Sequence, residues 1–206
     1  MTKDYYLLDA NVSGYGVDLS TGELKTLSNR VGYHVLPDDA GGREIISIQT
    51  KMFMSTGVTA IGFPRHLQEI GEAAFCNNYI TELALPRNLY KLGKAAFSSN
   101  KIKTLRLPAS LKVISERAFE CNVLEHLKLP EGMEILEYMC FYNNPIKVLD
   151  LPRSIKHIDS NAFYESTKDM TIHAYPGSYG ESFALEQGIP ISYKDENGRI
   201  TMSSIF

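Results

Sequence analysis

Five prolines recur at one fixed interval along this 206-residue chain, and that interval constrains its fold more than any other feature. They are Pro64, Pro86, Pro108, Pro130 and Pro152, each 22 residues after the one before. A repeat of this length is typical of a solenoid, in which each unit buries its apolar face only by stacking on its neighbours. The sequence therefore predicts a stacked coil rather than an ordinary globular domain.

Six apolar positions recur in every unit at the same distance from the proline. In the unit that begins at Pro64 they are Leu67, Ile70, Phe75, Ile80, Leu83 and Leu85. The pattern also occurs upstream, between Ile45 and Phe63, where the unit has no proline, and it loses register after Ser166. We therefore predict six turns between Gly42 and about His173, the last of them irregular.

The end of each unit has the pattern of a strand. In Leu83-Ala84-Leu85 and its equivalents, apolar residues alternate with other residues, which is typical of a strand with one buried and one exposed face. Stacked at about 4.8 Å per turn, such strands form a parallel sheet along one side of the coil. The proline that follows cannot donate a hydrogen bond to the sheet, so it ends the strand. The predicted fold class is an α/β-type repeat solenoid dominated by short parallel β-strands.

Two further columns of the repeat are interpreted as structural. A phenylalanine in each turn is predicted to form an aromatic spine through the interior: Phe53, Phe75, Phe97, Phe119, Phe141 and Phe163. An asparagine follows three residues after four of these rings: Asn78, Asn100, Asn122 and Asn144. A side-chain amide repeated at a bend most simply satisfies backbone groups that the turn leaves unpaired. The asparagine column is therefore not predicted to bind a ligand.

The repeat resembles a known family. The segment from Ala95 to Pro108, Ala-Ala-Phe-Ser-Ser-Asn-Lys-Ile-Lys-Thr-Leu-Arg-Leu-Pro, is similar to the BspA-like class of bacterial leucine-rich repeats. The segment from Thr171 to Tyr179 resembles the sequence that commonly closes such arrays, so the resemblance covers about residues 42–192. It implies a right-handed leucine-rich-repeat coil, a role in adhesion or host-protein binding, and a secreted or surface-attached protein.

The segments that flank the repeats are predicted to cap the coil, because an open solenoid exposes its apolar core at both ends. At the front, Tyr15 to Leu19 and Leu24 to Leu27 have the pattern of a hairpin. We therefore divide the chain into three parts that share one continuous core. They are an N-terminal cap with a hairpin (1–41), the solenoid (42–173) and a C-terminal cap (174–206).

The C-terminal cap is predicted to contain a short helix and a second hairpin. Ser178 and Glu181 have the spacing of a capping box, and Gly188 marks the end of the helix. Beyond it, Asn197-Gly198 lies between two apolar segments, which is a strong hairpin signal. Both elements are expected to cover the end of the core.

Composition limits the classes of function. A formal net charge of −3 gives no indication of nucleic-acid binding, and no segment has the length of a membrane span. Met1 to Asp4 are not followed by the apolar core of a signal peptide. Cys76, Cys121 and Cys140 are predicted to be free thiols, which fits a cytoplasmic protein, whereas the resemblance favours secretion or the cell surface. Localisation is left open.

No catalytic or metal-binding motif is evident in the sequence. It contains no HExxH, phosphate-loop, GxSxG or CxxC spacing. The five histidines fall in different columns of the repeat, so no pair is predicted to converge on a metal. We therefore predict a protein that is not an enzyme and that has neither a metal nor a cofactor.

The outward face of the predicted sheet is the candidate binding surface. Its side chains vary from turn to turn while their neighbours repeat, and such positions are where a solenoid discriminates between partners. The candidate residues on this face and its borders are Glu82, Arg87, Lys103, Thr104, Arg106, His126, Lys128, Lys147, Asp150 and Arg153. The basic residues among them are predicted to form a modestly basic strip. The alternative interpretation is that they are merely solvated side chains.

The leading functional hypothesis is a non-catalytic protein–protein interaction module, whose basic strip favours an acidic partner. Recognition of a carbohydrate or of the cell wall is ranked lower, because it needs exposed aromatic rings and the outward positions of the four central strands contain none. A structural spacer or fragment of a larger surface protein is a third hypothesis, and a cytosolic scaffold is a fourth.

Overall fold

The computed structural model describes residues 5–7, 15–18, 23–26, 31–40, 42–166 and 169–203. In these ranges the chain winds into a solenoid of about seven turns, with helix α1 (Tyr179–Gln187) near its C-terminal end. The strands are, in chain order, β1 (Tyr5–Leu7), β2 (Tyr15–Asp18), β3 (Glu23–Thr26), β4 (Gly32–Val35), β5 (Asp39–Ala40), β6 (Arg43–Glu44), β7 (Ser47–Ile48), β8 (Val58–Gly62), β9 (Glu69–Ile70), β10 (Glu82–Ala84), β11 (Lys91–Leu92), β12 (Thr104–Arg106), β13 (Val113–Ile114), β14 (His126–Lys128), β15 (Ile135–Leu136), β16 (Val148–Asp150), β17 (His157–Ile158), β18 (Thr171–Ala174), β19 (Ile191–Lys194) and β20 (Ile200–Ser203).

One side of the coil, here called the front side, consists of β4, β8, β10, β12, β14, β16, β18 and β19. Pairing along it is parallel, and the register places Glu82 opposite Thr104 and His126 opposite Val148. These pairs are one repeat apart, so the predicted parallel stack is confirmed. Parallel pairing also extends beyond the predicted repeats, through β4 at one end and β19 at the other.

A second side, here called the lateral side, carries two-residue strands that the sequence analysis did not predict. Strands β7, β9 and β11 pair in parallel, as do β13, β15 and β17. The predicted N-terminal hairpin is formed by β2 and β3, and β3 continues the lateral side by pairing in parallel with β7. The turn was predicted at residues 20–23, of which 20–22 lie outside the described residues and Glu23 is the first residue of β3.

The third side of each turn has no regular strand but is also bonded from turn to turn. The backbone N–H groups of Lys51, Phe53 and Ser55 donate to carbonyls of the next turn at 2.7–2.9 Å, and the pattern recurs along the coil. Left-handed φ angles of 49–65° occur here in eleven residues: Lys51, Ser55, Ala73, Asn77, Ala95, Ser99, Arg117, Cys121, Met139, Asn143 and Glu165. A left-handed residue other than glycine costs roughly 1–2 kcal/mol. The inter-turn hydrogen bonds offset that cost.

The phenylalanine column lies in the interior behind the third side. All six rings are buried, and neighbouring rings stack with centroids 4.9–5.8 Å apart and nearly parallel planes. Before each ring except Phe53 lies a small buried residue, such as Ala96 or Cys140, which lets adjacent turns approach closely. Burial raises the pKa of the Cys140 thiol well above its usual value. The buried apolar residues form one cluster from Leu36 to Ile191, whereas the predicted boundaries at residues 41 and 173 stay predictions.

The four asparagine side chains are buried beside this column and bond the backbone of two turns. The Asn122 amide nitrogen donates to the carbonyls of Phe97 at 3.0 Å and Phe119 at 3.1 Å. Its oxygen accepts from the N–H of Ile102 at 3.0 Å. Asn78, Asn100 and Asn144 make the equivalent contacts. In each of the four asparagines, the amide nitrogen and the amide oxygen therefore both form hydrogen bonds with the backbone.

The predicted C-terminal helix and hairpin are both present. The Ser178 side chain accepts from the Glu181 N–H, and Gly188 ends α1 with a left-handed φ of 65°. Strands β19 and β20 pair antiparallel around the predicted Asn197-Gly198 turn, and β19 also pairs with β18. The cap therefore extends the front side. Within the described part of the chain, no helix has both the length and the apolar character needed to span a membrane.

Candidate protein-binding face

The fold brings most of the predicted face residues together on the front side. Alternation along each short strand turns the central leucine inward and its two neighbours outward, as in β14, where Leu127 is buried while His126 and Lys128 are exposed. Glu82, Thr104 and Arg106 are exposed on the two preceding strands. We call the outward side chains of β10, β12, β14 and β16, together with Lys103 directly before β12, the front face.

Two shallow depressions lie along the front face. One, of about 440 Å³, is lined by residues of four successive turns, among them Lys103, His126, Lys128 and His173. The other, of about 360 Å³, lies toward the N-terminal end, where Ala84 and Arg106 line it. Open, shallow surfaces of this kind fit a macromolecular partner better than a small molecule, which needs a cleft that encloses it.

Three basic side chains at the centre of the front side form no ion pair in the described part of the chain, although the charge of Lys103 contributes to lowering the pKa of Glu125. Arg106 and Lys128 occupy the same position of consecutive turns, and Lys103 directly precedes the strand of Arg106. All three are exposed. Five other lysines differ, because they form ion pairs of 2.7–3.3 Å with glutamates one turn away: Lys91, Lys94, Lys112, Lys147 and Lys156. Lys51 and Lys101, exposed on other surfaces, form no ion pair with a described residue, so they resemble the front-side cations in this respect.

Lys147 belongs to this paired set, so the basic strip is shorter than the sequence predicts. Its ammonium group lies 2.7 Å from the carboxylate of Glu125, one turn away. The hydrogen bond from Lys147 lowers the pKa of Glu125 below its usual value. The pair carries no net charge at neutral pH, which leaves Lys103, Arg106 and Lys128 as the basic part of the front side.

Asp150 is held by a residue that the sequence analysis missed. The Lys194 ammonium group donates to the Asp150 carboxylate and to the Leu151 carbonyl, both at 2.6 Å, and its side chain is only 5% exposed. It also lies 4.2 Å from the ring centre of Tyr175. Lys194 comes from the C-terminal hairpin, outside the repeat, so no periodic signal pointed to it.

His173 is a second residue that the sequence analysis did not place on this face. Strand β18 brings it opposite Asp150, at the border of the larger depression. Partial burial lowers the pKa of His173, and the charge of Lys194 acts in the same direction, although Asp150 opposes both. The imidazole is therefore neutral at neutral pH. At this C-terminal end of the front side, His173 is therefore uncharged and Asp150 is paired with Lys194.

Two of the arginines that follow prolines, Arg87 and Arg153, have different surroundings. Arg153 stacks on Tyr175, with its guanidinium carbon 3.8 Å from the ring centre, so it packs against the C-terminal cap. Arg87 is exposed, and its carbonyl accepts from the Ser110 hydroxyl at 2.8 Å. Neither contributes to the central basic cluster. Among the described residues, no group of three or more His, Cys, Asp or Glu side chains is placed to hold a metal ion.

A coil of 22-residue turns with stacked parallel strands and leucines pointing inward is a leucine-rich-repeat protein. Residues 46–169 match the family described as BspA type leucine rich repeat region, in six copies, and the chain belongs to this family. Its members are generally non-catalytic and are typically interaction or surface proteins. A comparison with curated proteins found no match.

Several solved structures are similar to this chain. The T. pallidum leucine rich repeat protein is 20% identical over 81% of this chain and 70% of its own length, with a TM-score of 0.49. The pneumococcal vaccine antigen PcpA is 20% identical over 68% of this chain and 44% of its own, with a TM-score of 0.49. A leucine-rich repeat protein from Eubacterium ventriosum is 18% identical over 82% of this chain and 43% of its own, with a TM-score of 0.48.

Proposed function

We propose that this chain binds a protein partner through the front face, and that the partner presents acidic side chains to it. The observation that carries the proposal is the central cluster of Lys103, Arg106 and Lys128. These cations are exposed and form no ion pair with a described residue, whereas lysines on the lateral side are paired from turn to turn. A carboxylate from a partner would form charge-assisted hydrogen bonds with them.

The form of the face agrees with this function. Each of its strands pairs in parallel with at least one neighbour, so the outward side chains are presented on an ordered surface and little backbone order is lost on binding. Exposed charges act over about 10 Å at moderate ionic strength, so binding is expected to weaken as salt is added. Adhesion and host-protein binding are particular forms of this function.

The test compares two charge reversals of equal size. The variant Arg106→Glu, Lys128→Glu changes the front face, and Lys51→Glu, Lys101→Glu changes exposed lysines on other surfaces. Each is used to capture partners by cross-linking, from both a lysate and a secreted fraction. Every captured protein is then purified and titrated against the wild type at low and high salt.

We expect a salt-sensitive partner that the wild type and the control variant bind and that the front-face variant loses. Equal binding by all three proteins would refute the front face as the site. Failure of the wild type to bind any protein in either fraction would refute the proposal and favour a spacer or a glycan-binding module.

A further inference from the structure

Strand β4 is an open edge at the N-terminal end of the front side. Its Gly32 and Leu36 N–H groups donate to carbonyls of the β8 segment, Gly57 at 3.0 Å and Gly62 at 2.9 Å. Because successive residues of a strand alternate, the backbone groups of Val31, Tyr33 and Val35 point away from β8. In the described part of the chain these outward groups meet no further strand, since the N-terminal hairpin joins the lateral side instead.

The side chains along this edge are apolar and exposed. Val31, Tyr33 and Val35 are 84%, 68% and 58% exposed. Natural edge strands are usually protected by a charged residue or a proline, which prevents pairing with another chain. No such residue occurs from Val31 to Leu36, and the first proline, Pro37, follows the strand. The edge is therefore competent to pair with a further strand.

The sequence of the edge is symmetric about Tyr33, which identifies the kind of strand that fits it. Val31 precedes the tyrosine by two residues and Val35 follows it by two. In an antiparallel pair of two such strands, each tyrosine faces the other and each valine faces a valine. Aromatic and β-branched pairs of this kind stabilise neighbouring strands. We propose that β4 pairs antiparallel with β4 of a second copy of this chain, around a two-fold axis at Tyr33.

The small area of this contact indicates a weak association. Two strand edges with three such side chains each bury on the order of 800 Å² in total, less than the roughly 1,200 Å² of a standard stable interface. The dimer is therefore weak and forms at high concentration or on a multivalent surface. It joins the front sides of two copies, so two binding faces act together. Because this pairing needs no partner protein, the dimer can be confirmed or refuted independently of the proposed function.

Sedimentation velocity over the micromolar to millimolar range tests the pairing. The wild type is expected to shift from monomer to dimer as concentration rises, and Tyr33→Lys and Val35→Lys to remain monomeric. Both side chains are exposed, so these variants keep their fold, which far-UV circular dichroism checks. Tyr164→Lys is the matched control, because Tyr164 is 52% exposed and lies in the last repeat, at the other end of the coil from β4. A wild type that stays monomeric throughout would refute the dimer, as would a dimer that Tyr33→Lys leaves intact.

A cysteine scan tests the register. In a Cys76→Ser, Cys121→Ser background, a short bis-maleimide should join two copies of Tyr33→Cys, and should join Val31→Cys to Val35→Cys when these variants are mixed. Val31→Cys alone should not cross-link, because the two-fold axis separates its copies. Cross-linking of Val31→Cys alone, or equal cross-linking of a Tyr164→Cys control, would contradict the proposed register. Absence of any Tyr33→Cys product at millimolar concentration would overturn the pairing itself.

Discussion

A single asparagine side chain in each repeat satisfies backbone groups of two turns. The Asn122 amide donates to carbonyls of its own turn and of the preceding one, and it accepts from Ile102 in the preceding turn. The donors and acceptors it serves are buried, so they have no access to water as a substitute. Aspartate or serine could not make the same set of bonds, since only an amide has both donors and an acceptor in this geometry.

We predict that Asn122→Ala destabilises the protein by about 1–3 kcal/mol, because it leaves buried backbone groups unpaired. Chemical denaturation followed by circular dichroism measures the change. The variant Asn122→Asp tests the contribution of the donors, because it keeps an acceptor oxygen and loses both N–H donors. It should also destabilise the protein. Asn88→Ala is the control, because Asn88 is exposed and donates only one bond of 3.2 Å. If Asn122→Ala and Asn88→Ala have the same small effect, the amide does not stabilise the turn.

At the scale of elements, ion pairs on the lateral side link successive turns. Glu134 lies between Lys112 and Lys156 of the flanking turns, 3.3 and 2.7 Å from their ammonium groups. Hydrogen bonds from Lys156 and then Lys112 lower the pKa of Glu134. A lowered carboxylate pKa favours the folded state above the usual pKa, and this contribution is lost as the pH falls through the lowered value. The pairs are exposed, so each one contributes little at neutral pH.

The Lys194–Asp150 pair is different, because it is largely buried and connects the C-terminal hairpin to the last regular repeat. We predict that Lys194→Met destabilises the protein by about 3 kcal/mol, the lower end of the range for breaking a buried pair, since Asp150 keeps some access to solvent. The double variant Lys194→Met, Asp150→Leu should recover most of this loss. Thermal unfolding of the wild type, both single variants and the double variant measures the coupling.

The control for this cycle is Lys156→Met, which breaks an exposed pair on the lateral side. It should change the unfolding temperature only slightly. Additive effects of Lys194→Met and Asp150→Leu would show that the two side chains are not coupled. The ion pair would then not contribute to holding the hairpin.

At the scale of the whole molecule, each turn depends on its neighbours because the phenylalanine stack is continuous. Phe119 stacks on Phe97 at 5.8 Å and on Phe141 at 5.5 Å. Its removal therefore leaves a cavity between two turns and interrupts the core at mid-length. In a solenoid, stability is roughly the sum of the turns and of the interfaces between them. A central defect thus weakens coupling between the two halves.

We predict that Phe119→Ala costs about 3–5 kcal/mol and broadens the unfolding transition, because the two halves can then unfold separately. Urea titration with circular dichroism gives both quantities, and the chain has no tryptophan to supply a fluorescence signal. Tyr79→Ala, which removes an exposed ring on the same coil, should leave both nearly unchanged. An unfolding midpoint of Phe119→Ala equal to that of the wild type would contradict the spine.

Much of the fold was predictable because the same pattern of apolar residues recurs in every turn, and each recurrence indicates the same structural position. The alternation around Leu83 and its equivalents predicted the front strands, and the structure confirms them. The two-residue strands of the lateral side were missed, because a strand such as Lys91–Leu92 is too short to show an alternation. The third side was missed for another reason. Its left-handed residues, Ala95 and Arg117 among them, are types that do not signal such a backbone.

The candidate site was only partly accessible from sequence. The spacing of 22 residues was enough to place Arg106 and Lys128 side by side, because stacking follows from periodicity. It was not enough to reveal that Asp150 is engaged by Lys194, since that contact joins residues 44 apart from different parts of the fold. The open edge at β4 was equally hidden, because Val31 to Val35 precede the first repeat and no column describes them.

The sequence by itself determined the architecture of this protein: the 22-residue period, the inward apolar columns and the capping signals are local and repeated, and each can be satisfied only by stacking. Tertiary structure alone decided which charges are available. Whether a lysine is paired depends on where a carboxylate of another turn lies, to within about 4 Å, and such distances are set by the packing of the whole coil. The free cluster at Lys103, Arg106 and Lys128, and the engaged pair at Asp150 and Lys194, follow from that packing.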